Sequence, residues 1–161
     1  MLGARGSLIP GRILEAFLTV PSDLVAVCRP HAWSELTQSP GSGMRSTRDI
    51  FAHLIEAEAY LLGHVVRGLP MPAVNAGAWV SLDDLLSVWA PQRRETVRWL
   101  GTVADDDVRS TREFLWVASG IASVGELVWQ VVTHEQYHRG QIYTRLALLG
   151  RRDLPVRDLL R

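Results

Sequence analysis

The amino-acid sequence predicts an all-α protein, a four-helix bundle, and two recurring features carry this prediction. Three stretches open with a serine that an acidic residue follows three positions later, which is the pattern of a helix capping box. Each stretch then shows apolar residues at helical spacing and ends at a glycine. The three openings are Ser46 to Asp49, Ser81 to Asp84 and Ser123 to Glu126. A chain of 161 residues is long enough to bury one core, so we expect a single domain over residues 1–161.

The first half of the chain is predicted to contribute two helices. The apolar spacing of residues 8–30 indicates the first, and Pro21 either kinks it or begins a second short helix there. Residues 31–44 are rich in serine, glycine and proline and are predicted to form a loop. The second helix follows the first serine cap and should reach Arg67.

The second half of the chain is predicted to contribute the other two helices. Residues 69–80, rich in proline, glycine and alanine, connect the second helix to the third. The third should reach Leu100, with a kink at Pro91. Residues 112–118 are the one segment with the character of a strand. The last helix should run to Leu149, just before a glycine.

Composition excludes several classes of protein. Seventeen basic residues, all of them arginine, balance seventeen acidic ones, so no basic excess favours nucleic-acid binding. Cys28 is the only cysteine, which rules out an internal disulfide and a cysteine-based zinc site. No apolar run is long enough to span a bilayer, and the N-terminus lacks the layout of a signal peptide. We therefore expect a cytoplasmic protein with no membrane partner.

Two histidines of the last helix are placed to bind one metal ion. His134 and His138 are one helical turn apart, on a stripe that is otherwise largely apolar. The ordinary alternative is a buried histidine with a backbone partner and a neighbour at the rim. His53 favours the metal site, because it brings a third histidine to the interior from the second helix. Three neutral nitrogens and an open position are typical of a catalytic zinc or similar divalent ion.

Other polar residues are weaker candidates. His64 lies about 16 Å further along its helix than His53, too far to reach the same ion, and His31 falls in a loop. Glu56 could be a fourth ligand, although a solvated partner of an arginine is the more common role. Gln141 could orient a ligand or a metal-bound water, or be an ordinary polar position of the helix. The tryptophans at 79, 89, 99, 116 and 129 are more typical of a core or an interface than of a substrate pocket.

The segment from His134 to His138 also matches H-E-x-x-H, a zinc motif of metalloproteases. In such an enzyme Glu135 would be the general base, and a third ligand usually lies downstream. No histidine or glutamate follows His138. Arg139 comes four residues after Glu135, in the order that favours a surface ion pair. We therefore predict an exposed Glu135–Arg139 pair and no protease.

Two segments together resemble a known family. "STRDIFAHLIEAEAYLLGHVVRG" (residues 46–68) and "HEQYHRGQI" (residues 134–142) are similar to motifs of the DinB/YfiT-like superfamily. The resemblance implies a four-helix bundle of up-down-down-up topology, often a homodimer. It carries the metal ligands over to His53, His134 and His138. Glu58, Arg139, Gly140 and Gln141 match further motif positions, and we expect Glu58 to reach a neighbouring helix or a dimer partner, not the ion.

The resemblance also implies a range of activities. Similar proteins bind one divalent transition metal, most often nickel or zinc. They include S-transferases that depend on a low-molecular-weight thiol and a mycothiol-dependent isomerase, so a small-molecule substrate and such a thiol are expected. A metal site of this type could also activate water for hydrolysis. A non-enzymatic metal-binding or small-molecule-binding protein is the remaining alternative.

Overall fold

The N-terminal segment forms one helix that Pro21 does not divide. The computed structural model describes residues 11–41, 43–115, 119–150 and 154. Helix α1 (Gly11–Cys28) runs through Pro21, so Pro21 does not begin a second helix, and a kink there stays a prediction. Residues 8–10 of the predicted helix lie outside the described part.

Part of the predicted loop is helical. Helix α2 (Trp33–Thr37) lies within residues 31–44, where no helix was expected. The Glu35 carboxylate accepts a hydrogen bond from the Ala32 N–H at 2.9 Å, and Leu36 is buried against the core. A helix of little more than one turn is too short to show apolar periodicity, which is why the sequence did not reveal it.

The second long helix begins at its predicted cap. Helix α3 (Thr47–Glu58) follows Ser46, whose hydroxyl accepts a hydrogen bond from the Asp49 N–H at 3.1 Å. The helix continues into a π-helical segment, Ala59–Val65, whose backbone hydrogen bonds span five residues instead of four. Gly68 ends the helical run with a φ of 68°, which glycine adopts without a Cβ clash.

The third long helix is continuous through its proline. A single 3₁₀ turn (Ala76–Ala78) lies in the connection before helix α4 (Leu82–Leu100). Pro91 lies inside α4 on its exposed side and does not end it. A short helix α5 (Asp105–Arg109) then leads to a hairpin.

The predicted strand is one arm of that hairpin. Strand β1 (Thr111–Leu115) pairs antiparallel with β2 (Ser119–Ser123), and residues 116–118 of the predicted strand lie outside the described part. Strand β2 was not predicted, because its serine, glycine and alanine residues have low strand propensity. Gly120 opposes Phe114, and a Cβ at Gly120 would lie 2.8 Å from the Phe114 ring, so the register depends on this glycine.

The last helix carries both motif histidines. Helix α6 (Val124–Leu148) opens with a complete capping box: the Ser123 hydroxyl accepts from the Glu126 N–H at 3.2 Å, and the Glu126 carboxylate accepts from the Ser123 N–H at 2.7 Å. It ends close to the predicted Leu149, and Gly150 follows with a φ of 93°.

The four long helices pack around two apolar clusters with a charged layer between them. Helix α1 contacts α4 and α6, and α3 contacts α6. One cluster includes Leu24, Phe51, Trp89 and Ile142, and the other includes Phe17, Leu62, Leu100 and Val131. Along each of α3, α4 and α6, one buried charged residue separates the two clusters; these are Glu58, Arg93 and Glu135. The interior is thus apolar at both levels and ionic in the middle.

The tryptophans divide between core and surface. Trp79 and Trp89 are buried in the core, as predicted, and Trp99 packs against it. Trp129 is 51% exposed, and Trp116 lies outside the described residues.

No helix in the described part of the chain is long and apolar enough to cross a bilayer.

Candidate metal centre

Three imidazole rings meet between α3 and α6. The Nε2 atom of His134 lies 3.0 Å from Nε2 of His53 and 3.0 Å from Nε2 of His138. The nitrogens that the three rings offer all lie within 4.8 Å of one another. The structure therefore brings together the three histidines that the sequence singled out; metal binding by them stays a prediction.

Helix geometry explains how the rings converge. His134 and His138 are four positions apart on α6, so their side chains leave the same face. His53 reaches them from α3, which packs against α6. The rings stand nearly perpendicular to one another, with centroids of His53 and His134 4.8 Å apart at 79°. This arrangement points three ring edges at one place.

Gln141 fixes the orientation of one ring. Its side-chain oxygen Oε1 lies 3.0 Å from Nδ1 of His138. Because a carbonyl oxygen only accepts, Nδ1 carries the hydrogen in this contact, and Nε2 keeps its lone pair. Gln141 thus holds His138 in the tautomer that a metal ligand at Nε2 requires.

Burial keeps the rings neutral. Desolvation, with the nearby Arg45 charge and the neighbouring rings, lowers the pKa of His53 to about 4. Desolvation, followed by His138 and Arg45, likewise lowers the pKa of His134 to about 4. The pKa of His138 is also lowered, chiefly by desolvation, although the hydrogen bond to Gln141 opposes the shift. At neutral pH these rings are free bases, the form that binds metal.

The donor set fits a divalent transition metal. Zinc binds histidine nitrogen at about 2.0–2.1 Å, so two nitrogens on one ion lie at most about 4.2 Å apart. The two separations of 3.0 Å at His134 meet this limit, and the third separation, between the nitrogens of His53 and His138, is at most 4.8 Å. Imidazole nitrogen suits zinc and nickel, whereas calcium and magnesium prefer oxygen. His53, His134 and His138 are the residues that would hold the ion.

The weaker candidates lie elsewhere. His64 is exposed, and its Nδ1 contacts the backbone oxygen of Leu69 at 3.0 Å. His31 pairs with Glu35 at 3.4 Å. Glu56 is exposed and is not part of the group of potential ligands found among the described residues. The structure gives Glu56 no role as a fourth ligand.

The prediction of an exposed Glu135–Arg139 pair is wrong. Glu135 is 1% exposed and forms an ion pair with Arg93 of α4. The Arg139 guanidinium instead lies over the Tyr143 ring, 5.7 Å from its centroid. Position 135 falls on the buried stripe of α6, so its side chain points to the middle of the bundle. A protease base would have to reach water beside the histidines, and Glu135 is committed to Arg93 instead.

The charged layer is a buried cluster of two acids and one base. Arg93 Nη2 contacts Glu58 Oε2 at 2.9 Å as well as Glu135, and the Trp89 N–H donates to Glu58 at 3.3 Å. Glu58 therefore reaches a neighbouring helix, as expected, and not the ion. Desolvation raises the pKa of Glu135 to about 7; Arg93 opposes this and Glu58 adds to it. Arg93 was missed in the sequence, where an arginine in an amphipathic helix looks like a surface residue.

A second arginine ties the histidine helix to the loop before α3. Arg145 is 9% exposed, and its Nε donates to the backbone oxygen of Arg45 at 2.9 Å. Its Nη1 donates to the backbone oxygen of Gln141 at 3.0 Å. In the sequence Arg145 lies on the same largely apolar stripe of α6 as His138, and no local pattern indicates its partners. The structure shows that it joins the α6 segment beyond His138 to the start of α3.

The chain is similar in sequence and in fold to known proteins. The chain matches the family model of the DinB superfamily over residues 16–142. Its fold is similar to that of a DinB-like protein from Bacillus cereus, with a TM-score of 0.72, 14% identity, and coverage of 91% of this chain and 95% of that one. A DinB-like protein from Bacillus subtilis gives a TM-score of 0.67, 15% identity, and coverage of 89% and 95%. No protein of curated function matches the sequence.

At these identities the two structures support the fold alone, whereas the family match rests on the sequence. The matched region covers most of the chain and includes all three histidines of the cluster. The chain belongs to the DinB superfamily.

Proposed function

We propose that this protein is a divalent-metal-dependent enzyme and, within that class, a thiol-dependent S-transferase that acts on small electrophiles. The convergence of three neutral Nε2 atoms supports this proposal most directly. No carboxylate or thiol of the described residues joins the three histidines. Structural zinc sites have four protein ligands, whereas three ligands and an open position are typical of catalytic sites.

The residues of the site divide into holding and orienting roles. His53, His134 and His138 would hold the ion, for which nickel and zinc are the best candidates. Gln141 keeps His138 in the required tautomer. When bound, a divalent ion of this kind lowers the pKa of a thiol at its open position.

The transfer itself needs little further acid–base chemistry from the chain. The thiol gives its proton to solvent, its sulfur forms a bond to an electrophilic carbon, and the leaving group departs with the electron pair. Tyr137 is 64% exposed, and its ring lies 5.0 Å from that of His138. We propose that this ring borders the entrance through which the electrophile approaches.

Metal content tests the first half of the proposal. Elemental analysis after mild purification should find close to one divalent transition metal per chain. His53→Ala should lose most of it, because one of three ligands is gone. His64→Ala is the matched control and should load normally. Protein that cannot be loaded with zinc or nickel would overturn the proposal.

Thiol binding tests the second half. Cobalt-substituted protein should develop a sulfur-to-metal charge-transfer band when a small thiol is added. A screen of electrophiles with several cellular thiols should then find turnover. A spectrum that no thiol changes would contradict the transferase and favour hydrolysis or a structural ion.

Two features of the assembly are proposed on related grounds. The order in which each long helix passes the two apolar clusters supports the up-down-down-up topology. A homodimer, which the family resemblance implies, would cover exposed apolar side chains such as Trp129 and Leu148. A monomer by light scattering at micromolar concentration would contradict the dimer.

A further inference from the structure

Arg45 is an exposed cation beside the three-histidine cluster. Its backbone is tied to the histidine helix, because Arg145 donates to the Arg45 carbonyl oxygen at 2.9 Å, and its positive charge is one of the causes that lower the pKa of His53, His134 and His138. None of the described carboxylates pairs with it. An exposed arginine that has no acid partner is available to a ligand.

The backbone at Arg45 is held in place relative to the site. Arg145 donates to its carbonyl oxygen at 2.9 Å and to that of Gln141 at 3.0 Å. Gln141 in turn contacts His138 at 3.0 Å. Arg45 also directly precedes Ser46, the buried cap of the helix that carries His53. The backbone of Arg45 is therefore held near both helices of the site, by the Arg145 bond to α6 and by the adjoining cap of α3.

The charge of the site favours an anionic ligand. The three histidine donors are neutral and contribute nothing to offset the two positive charges of a divalent ion. Arg45 adds a further, solvent-exposed positive charge near the cluster. A guanidinium also offers two parallel N–H groups that match the geometry of a carboxylate.

We propose that Arg45 binds the anionic group of the substrate, so that the site selects thiols that also carry a carboxylate. This inference rests on the proposed function for the thiol, but the anion subsite itself requires only a metal at the histidines. In this arrangement the sulfur occupies the open position and the carboxylate contacts Arg45. Arg45 is a specificity-determining residue and takes no part in bond making.

The test compares ligands that differ only in charge. Cobalt-substituted protein is titrated with 3-mercaptopropionate, 2-mercaptoethanol and cysteamine, and the charge-transfer band reports binding. The anionic thiol should bind about threefold to tenfold more tightly than the neutral one, the range between an exposed ion pair and a charge-assisted hydrogen bond. The cationic thiol should bind most weakly, and added salt should reduce the preference.

Variants separate the subsite from general electrostatics. Arg45→Gln should abolish the preference for 3-mercaptopropionate and leave the affinity for 2-mercaptoethanol and the cobalt content unchanged. Arg98→Gln removes the same charge from an exposed pair on α4 and should keep the full preference. Arg45→Lys should keep part of it, because the charge remains and the paired N–H groups are lost.

A further pair of ligands distinguishes failure of the proposed thiol transfer from failure of the anion subsite at Arg45. If no thiol gives a band, the thiol-transfer function fails, and succinate against propionate then tests the subsite through the cobalt absorption spectrum. Tighter binding of succinate that Arg45→Gln removes would still support the anion subsite. A preference for anionic ligands that Arg45→Gln leaves intact, or no such preference in the unchanged protein, would overturn the inference.

Discussion

Replacing Arg93 with methionine tests the buried charged layer most directly. Arg93 is 6% exposed and is the cation that contacts both Glu58 and Glu135. Methionine has a similar length and leaves the apolar packing against Phe17 and Trp89 largely intact. The change therefore removes a charge from the middle of the bundle with little loss of volume.

The expected loss of stability follows from the two carboxyl groups left behind. Without Arg93, Glu58 and Glu135 lose the cation that contacts both of them in the middle of the bundle. Removal of one partner from a buried ion pair costs about 3–5 kcal/mol, because it leaves a buried charge without compensation. We therefore expect Arg93→Met to lose about 4 kcal/mol at pH 7.

The loss of stability in Arg93→Met should depend on pH. An acid with a raised pKa in the folded state contributes stability that is lost as pH rises between its unfolded and folded pKa values. Arg93 holds the pKa of Glu135 down to about 7, so in Arg93→Met this pKa rises further and the loss of stability should grow above pH 7, by up to about 1.4 kcal/mol between pH 7 and pH 8. Urea unfolding followed by circular dichroism, with the unchanged protein measured at each pH, gives this difference.

The control is Arg98→Met, which removes an exposed arginine that pairs with Glu95 on the same helix. It should cost less than about 1 kcal/mol at either pH. An Arg93→Met variant that loses under about 1 kcal/mol at pH 7, or that loses equally at pH 7 and pH 8, would refute the ionic layer.

Three further predictions concern the histidine site and Glu135, which directly follows His134 in the sequence. Glu135→Gln should keep full metal content and destabilise far less than Arg93→Met, because Arg93 keeps Glu58 as its partner; complete loss of the activity with the metal retained would restore a protease-like role for Glu135. Gln141→Ala should weaken zinc affinity about tenfold to a hundredfold in a chelator competition, whereas the exposed Gln130→Ala should not; equal affinities would exclude the orienting role. Zinc uptake should persist down to about pH 5, since the lowered pKa values of His53 and His134, about 4, let protons compete only in more acidic solution. Release near pH 6.5, the ordinary histidine pKa, would contradict this.

Local chemistry let the sequence predict much of the fold. Each serine cap accepts a hydrogen bond from a backbone N–H group three residues later, and each closing glycine lets the backbone leave the helix. Both effects act within a few residues, so each helix start is visible in a short window of sequence. The pairing of His134 with His138 follows from helix geometry alone. His53 was singled out because an imidazole among apolar residues needs a partner.

Contacts between distant segments decided the rest. Glu135 followed by Arg139 is compatible with an exposed pair or with a buried glutamate, and only the assembled bundle brings Arg93, 42 positions away, to Glu135. The bond from Arg145 to the Arg45 backbone joins residues 100 positions apart, and no local pattern indicates it. The register of strand β2 depends on Gly120, which lies opposite Phe114, and the sequence of the strand alone does not reveal that partner.

Helix starts, helix ends and same-face spacing were thus determined by the sequence itself, because they depend on hydrogen bonds and angles within one or two turns. The partner of each buried charge was decided by the tertiary structure. The cost of leaving a charge unpaired in the core is paid only once the helices pack, and the packing determines which opposite charge lies within reach.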